Sequence, residues 1–393
     1  MSENNEINEP LNKNYKVPKL RFPEFNENWD EIKLKEIAIR ITRKNKENKQ
    51  MLPLTISAQD GLISQYDYFD KKIASINLTT YYILRNGEFA YNKSYSNGYP
   101  YGAIKRLDSF DEGALSSLYI CFYVNNIDSN YLCYYFDSNK WNYEVKIISG
   151  EGARNHGLLN LTPSDFFNIK IFKPHTLEEQ CKISKFLELI YTKEKIINSK
   201  INILKKYKEG IEKYAYKFVE NRGVSIKFSD LFDNLIEKNN HKFQQYTIGK
   251  NEIKKIDEIN YDISNHKIFK KFNVIVGIGI DEIGINKNLE YGSVSPVYDV
   301  YNIKNLKYFD SIYVTLKEQL WKKRNYITRK STRREFEVDK YELKKMILRV
   351  VDNKDFTNVY KSITNIKKVI EILNFSFNNL KIIKSYILRH MFI

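Results

Sequence analysis

Cysteine is scarce in this chain: Cys121, Cys133 and Cys181 are three in 393 residues, an odd number in no metal-ligand spacing. Neither a disulfide framework nor a zinc site is indicated. The five histidines, His156, His175, His241, His266 and His390, also form no ligand pattern, so no metal is expected. No GxSxG elbow occurs, and no DPPY-like or NPPY-like tetrapeptide of an adenine-flipping methyltransferase is present. Asp281 and Glu282 lack the further carboxylate or lysine that a nuclease site needs, so catalysis is not expected. No apolar run approaches the roughly 18 residues of a membrane span. The opening MSENNEINEPLNKNYK lacks the apolar centre of a secretion signal. A reducing, cytoplasmic compartment without membrane contact is the expectation.

Acidic residues are in deficit. Lys and Arg number 64 against 48 Asp and Glu, a formal charge of +16 that favours a polyanionic partner or surface. Charge alone does not choose between these, because the abundance of Lys, Asn, Ile and Tyr also fits a lysine-rich proteome. What is present suffices for folding: 42% hydrophobic and 14% aromatic residues can fill real cores. The length suits two domains with connecting elements.

Residues 1–16 read as a polar arm, and VPKLRFPEF after it as an extended segment pinned to a surface. From Trp29 to Lys173 short apolar runs alternate with DG, NG and polar clusters, which predicts a strand-rich unit with some helix. The period then changes. Ile183, Ile190, Ile197, Leu204, Ile211 and Phe218 recur at sevens, with Phe186, Leu187, Ile201, Tyr207, Tyr214 and Ala215 widening the stripe. This predicts a helix of about 60 Å that packs against another helix. A second strand-rich unit follows Asn221, and a second stripe at Ile366, Leu373, Leu380 and Ile387 closes the chain, reinforced by Ile370, Phe377 and Met391. The predicted fold class is α+β: two globular domains of mixed α and β structure (17–175 and 221–354), separated by two long antiparallel coiled-coil helices (176–220 and 355–393).

The halves repeat. GALSSLY from Gly113 aligns with GSVSPVY from Gly292, and the same offset pairs Phe122 with Tyr301 and Arg154 with Arg333. One extra residue pairs Trp141 with Trp321. WDEIKL after Trp29 is matched to FQQYTI from Phe243, and Ile183 to Ile366, the second helix being one heptad shorter. A duplicated body of this kind can read a pseudo-palindromic or bipartite site on a duplex.

PKLRFPEF followed by Trp29, GEFAYNKSYSNGYPYGAIKR, GALSSLY, GLLNLTPSDFFNIKIFKP and LEEQCKISKFL occur in an order and spacing that resemble the specificity (S) subunits of type I restriction-modification systems over nearly the whole chain. The resemblance implies two target-recognition domains, each reading half of a bipartite double-stranded DNA target, and two helices that set the spacer. It also implies partners: methyltransferase (M) subunits that use S-adenosylmethionine, and in full complexes restriction (R) subunits that use ATP and Mg2+. This chain itself would hold no cofactor. Glu179-Gln180 of the first helix has no clear counterpart in the second half. The GxGxDExG run from Gly277 is read as a divergent copy of the region from Gly87 to Ile104.

DNA-contact candidates follow from residue type. QLWKKRNYITRKSTRR carries Lys322, Lys323, Arg324, Arg329, Lys330, Arg333 and Arg334 with no acid between them, suited to phosphates and, for one or two arginines, guanine edges. A solvated helix face is the plain alternative. In the first half Lys140, Lys146, Arg154 and His156 occupy the matching region, and Tyr91, Asn92, Lys93, Tyr95 and Asn97 offer polar groups for adenine or phosphate. Trp29, Trp141 and Tyr119 are read as core. The competing function is a structural adaptor whose globules bind protein or RNA.

Overall fold

The computed structural model describes residues 17–68, 77–96, 98–149, 157–239, 243–249, 252–257, 263–330 and 336–393. The chain divides into two compact units, Met1–Ile197 with Ser376–Ile393, and Asn198–Phe375. In chain order the first part contains β1 (Asp30–Lys33), β2 (Ala38–Arg40), β3 (Pro53–Ser57), β4 (Gly61–Ser64), α1 (Gln65–Tyr68), β5 (Tyr82–Arg85), β6 (Phe89–Asn92), β7 (Ala103–Arg106), β8 (Glu112–Leu115) and β9 (Ile120–Val124). Next come α2 (Ser129–Asp137), α3 (Asn142–Ser149), α4 (Pro163–Phe167), β10 (Lys170–Lys173) and the long α5 (Leu177–Arg222). The second part contains β11 (Val224–Lys227), α6 (Phe228–Leu231), β12 (Phe232–Leu235), β13 (Gln245–Gly249), β14 (Glu252–Lys255), β15 (Lys267–Lys270), β16 (Val274–Val276), β17 (Ile283–Ile285), β18 (Tyr291–Val294) and β19 (Asp299–Ile303). It closes with α7 (Phe309–Lys322), α8 (Arg324–Ile327), β20 (Thr328–Arg329), β21 (Glu337–Val338), α9 (Lys340–Lys345), β22 (Ile347–Val350) and α10 (Lys354–Met391). Among the described residues no helix is long and apolar enough to cross a membrane.

Each unit builds the same two four-stranded sheets. The first has β4-β3-β8-β5 and β2-β9-β6-β7; the second has β14-β13-β18-β15 and β12-β19-β16-β17, in the same order. In each, one parallel pair, β3 with β8 and β13 with β18, sits among antiparallel neighbours. Every other residue of β4 and β5 is buried, as a sheet with one covered face requires. The repeat extends to side chains: Tyr119 Oη lies 3.3 Å from Thr55 Oγ1, and Tyr298 Oη lies 3.0 Å from Thr247 Oγ1.

Two alignments read from the sequence change. β1 pairs antiparallel with β10, and β11 pairs antiparallel with β22. The strand after Trp29 therefore corresponds to β11, not to the one after Phe243, which lies in a four-stranded sheet. β10 and β22 run into α5 and α10 through connectors of equal length, so Ile183 corresponds to Tyr360 and not to Ile366. Hydrophobic spacing alone allowed the shift because both registers keep an apolar stripe.

The α5 stripe alternates steps of four and three. Ile183, Leu187, Ile197, Ile201, Ala215 and Val219 are buried, with Ile190, Leu204, Ile211 and Phe218 half-buried. Tyr207 and Tyr214, read as part of this stripe, are instead exposed. In α10, Ile387 is buried and Ile366, Leu373 and Leu380 are half-buried. In the first unit Ile183 and Leu187 join one core cluster with Ile387, Leu388, Met391 and Phe392. In the second, Ala215 and Val219 cluster with Val351, Phe356 and Ile363. Trp29 and Trp141 are buried in the core as read, and Tyr119 is half-buried.

Thr176 caps α5, accepting from the Glu179 amide at 3.3 Å. The Glu179 carboxylate does not fold back onto the cap. It accepts from Arg21 Nε and Nη2 at 2.7 and 2.8 Å and from Trp29 Nε1 at 3.2 Å, while itself buried. Glu179→Ala would leave the Arg21 guanidinium largely buried without its anion, at an expected cost of about 3–5 kcal/mol. Urea unfolding of the full chain measures it; a loss below about 1 kcal/mol would show that water replaces the carboxylate.

In the second unit, Lys317 of α7 is packed near Lys367 of α10, Lys208 and Glu212 of α5 and Glu252 of β14. Burial, then the charge of Lys367, holds the Lys317 amine down to about 8, against the opposing pull of Glu252 and Glu212. Between about 8 and the ordinary lysine value the unfolded chain binds a proton that the folded chain does not, so this group makes stability rise with pH in that window. Lys317→Met should remove that rise and stabilise the fold at neutral pH by about 1–3 kcal/mol. Denaturation of both proteins from pH 7 to 10 checks it; parallel curves would contradict it.

Candidate nucleic-acid interface

In the first unit the β6–β7 hairpin ends in a tip at residues 93–102. Asn92 Oδ1 accepts from the Ser94 amide at 3.0 Å and turns the chain. Gly102, at φ +81°, closes the tip where a Cβ would meet the Asn92 carbonyl at 2.0 Å, so only glycine fits. The tip is tied to the segment after α3: the Leu159 amide donates to the Lys93 carbonyl at 3.0 Å, and Ser94 bridges Leu158. Lys93 Nζ donates to the Leu161 carbonyl at 3.1 Å, which commits that amine to the tie.

Tyr91 is a correction to the sequence reading. Its ring is fully buried, 4.7 Å from Phe166 and 5.5 Å from Trp141, and its hydroxyl donates to the Tyr101 carbonyl. The aromatic core of α3 and α4 claims it, and burial pushes its phenol well up. Tyr95 and Leu158, by contrast, are both exposed at the tip junction. Lys146 is exposed on α3 with Tyr143 and Ile147. Lys140 is half-buried in the turn before α3. Asn97, Arg154 and His156 lie outside the described residues.

In the second unit the corresponding tip is shorter, residues 277–282, between β16 and β17. The Gly277 amide donates to the Glu282 carbonyl at 2.8 Å, and the Glu282 carboxylate accepts from the amides of Ile278 at 3.0 Å and Gly279 at 3.2 Å. The glycines let the backbone wrap a carboxylate of its own chain, so the GxGxDExG run is a self-capped tip at the sheet position of the first unit's hairpin. It is tied in the same way to the segment after α8: Val338 donates to Ile278 at 2.8 Å, and Gly279 bridges Glu337.

The basic cluster beside it is not a uniform solvated face. Lys323 Nζ donates to the Ile347 carbonyl at 2.6 Å. Arg324 lies 4.6 Å from the Trp321 ring and 5.6 Å from that of Phe336, and donates to the Trp321 carbonyl. Lys322 sits 3.5 Å over Tyr216 and 3.7 Å from Glu318, and Arg329 pairs with Glu337 at 3.2 Å. Lys330 is exposed, as are Trp321 at 45% and Tyr326 at 81%. Arg333 and Arg334 lie outside the described residues. The sequence reading missed the Glu282 cap, although a carboxylate three residues after Gly279 is its signal, and it missed the aromatic flanking of Arg324. Among the described residues no group of three His, Cys, Asp or Glu is placed to hold a metal.

Two mixed α and β units of one topology, each with a hairpin tip joined to a post-helical segment and each using both long helices, define the class of fold. No protein-family model and no curated protein matches the chain. Among solved structures, the S subunit of the type I restriction-modification system from M. genitalium matches with a TM-score of 0.62 and 12% identity, over 96% of this chain and 99% of that one. A chain from a structure on complex assembly and conformational transition of the type I R-M system gives 0.49 and 10%, over 93% and 97%. The HsdS subunit from Thermoanaerobacter tengcongensis gives 0.43 and 13%, over 93% and 96%. The chain has the S-subunit fold seen in the M. genitalium structure.

Glu282→Ala would strip two tip amides of their acceptor, with an expected loss of about 1–3 kcal/mol in the second unit. Amide hydrogen exchange at Ile278 and Gly279 checks it. Unchanged protection there would show that the turn stands without the carboxylate.

Proposed function

We propose that this chain is the sequence-specific, non-catalytic DNA-recognition subunit of a restriction-modification or methyltransferase complex, each unit reading one half of a bipartite target. The observation that carries this reading is the duplicated tip: two copies of one sheet framework present tips of different length and chemistry, each joined by main-chain pairing to a segment that follows a helix. A duplicated frame with unlike tips suits two unlike half-sites on one duplex. Methylation chemistry then belongs to M subunits with S-adenosylmethionine, and cleavage to R subunits with ATP and Mg2+ where these are present.

Partner subunits have a surface to dock on. In the first unit Leu189 and Ile196 of α5 and Ile382, Ile383 and Tyr386 of α10 are exposed, and in the second Ile203, Tyr207 and Tyr214 with Val369, Ile372 and Phe375. Apolar residues repeated along solvent-facing helix positions are what a helical partner covers. The adaptor reading, with globules that bind protein or RNA, is served by the same helices but gives no role to paired tips of unlike chemistry.

Methylation of a random-sequence duplex library by the assembled complex tests the proposal: two short sequence blocks around an unspecified spacer are expected. Seven residues inserted after Lys200 keep the helix stripe in phase and add about 10 Å of helix, or roughly three base pairs. The blocks should keep their bases and the spacer should lengthen. An active complex without a bipartite target would refute the reading, and an unchanged spacer would remove the helices from setting it.

A further inference from the structure

The last turns of α10 carry a cationic cleft that neither tip accounts for. A cleft of about 310 Å³ in the first unit is lined by Ser138, Asn139, Lys381, Lys384, Ser385 and Arg389. The Leu20 amide donates to the His390 carbonyl at 2.9 Å, which brings the segment carrying Lys19 to the end of α10. Lys140 follows Asn139 directly. Three separate stretches of chain thus converge on one place, and each brings a lysine or arginine.

The acids nearby are already engaged. Asp137, also on the cleft wall, accepts from Lys105 Nζ at 2.8 Å and Tyr191 Oη at 3.0 Å, and Glu194 pairs with Lys384. Burial, then the charges of Arg389 and Lys19, holds the Lys140 ammonium below the ordinary lysine range. The negative end of the α10 dipole offsets only about half a charge. Like charges brought together at this cost are stabilised by an anion that arrives from outside.

We infer that Lys381, Arg389 and Lys140 form a DNA-phosphate site, through which the end of the second long helix grips the duplex read by the first unit. This rests on the DNA-recognition reading and adds a DNA contact to a helix that the sequence reading gave to spacing and to binding partner subunits. A phosphodiester backbone suits the site because Lys381 and Arg389 line the same cleft two turns apart on α10, about 12 Å along its axis, and so meet a row of anionic charge and not a single carboxylate.

The test is the salt dependence of full-chain binding to a duplex of about 40 base pairs, from about 50 to 200 mM salt, where each lost phosphate contact lowers the log-log slope by about 0.9. The paired variant K381Q/R389Q, both exposed positions, should lower the slope by about 2 equally on all sequences, while K381R/R389K keeps it. K330Q in the second unit reports independently on the underlying reading. If K330Q lowers the slope and K381Q/R389Q does not, the inference fails and DNA recognition stands. If K381Q/R389Q instead abolishes assembly with the methyltransferase at unchanged slope, the cleft docks protein and the inference is overturned. A wild-type chain whose affinity ignores salt would sink both.

Discussion

The buried carboxylate of Glu179 is the constraint on which the first unit depends. Its two oxygens bind the Arg21 guanidinium in a fork and take the Trp29 indole as a third donor, so one charge fixes three parts of the chain at the first turn of α5. Trp29 is then held with its ring edge-on to Tyr131 and Phe392, 6.0 and 6.5 Å away. Gln180, the next residue, is equally buried: its Oε1 accepts from the Asp128 amide and its Nε2 donates to the Pro174 carbonyl. Asp128 in turn caps α2, accepting from the Tyr131 amide at 2.6 Å, and also accepts from Ser184 Oγ. One helix turn therefore sets the N-terminal segment, the β1–β10 pair and α2 together.

The second unit reaches a similar core without that charge. Asn353 caps α10 through the amides of Asp355 and Phe356, and Phe356, at the position equivalent to Glu179, is buried 5.6 Å from Phe218. An apolar ring replaces a forked ion pair, which costs no desolvation of charge but also specifies geometry less sharply. This is the physical reason that the Glu179-Gln180 pair has no counterpart in the second half. The pair serves contacts to Arg21, Trp29 and Asp128 that the second unit does not make.

Much of this order was legible because it is periodic or repeated. Two long helices follow from sevens, and the two halves from the constant offset that carries β8 onto β18 and β9 onto β19. What stayed hidden was set by contacts distant in sequence. Nothing around Tyr91 distinguishes an exposed hairpin tyrosine from one closed over by Phe166 and Trp141 some fifty to seventy-five positions later. Nor does QLWKKRNYITRK reveal that Lys323 reaches the Ile347 carbonyl or that Arg324 lies near Phe336. Charges count toward a surface only after those spent on internal carbonyls and rings are removed, and sequence gives the total, not the remainder.

The two units share their framework and differ at their tips. Phe89 and Val274 occupy equivalent strand positions, opposite Phe122 and Tyr301, and the Thr–Tyr hydroxyl pair is kept in both units. Those positions lie inside the sheets, where a change in volume is felt by every neighbour. Just beyond them the tips diverge: one is closed by Gly102 under the Asn92 carbonyl, the other by the Glu282 carboxylate gripping two amides. Each tip is nevertheless held by main-chain hydrogen bonds to the segment after its helix, and such bonds do not depend on side-chain identity. A tip anchored by backbone at both ends can change its length and side chains while the sheet beneath stays fixed. Under the proposed function, that is the physical condition for one fold to read different sequences.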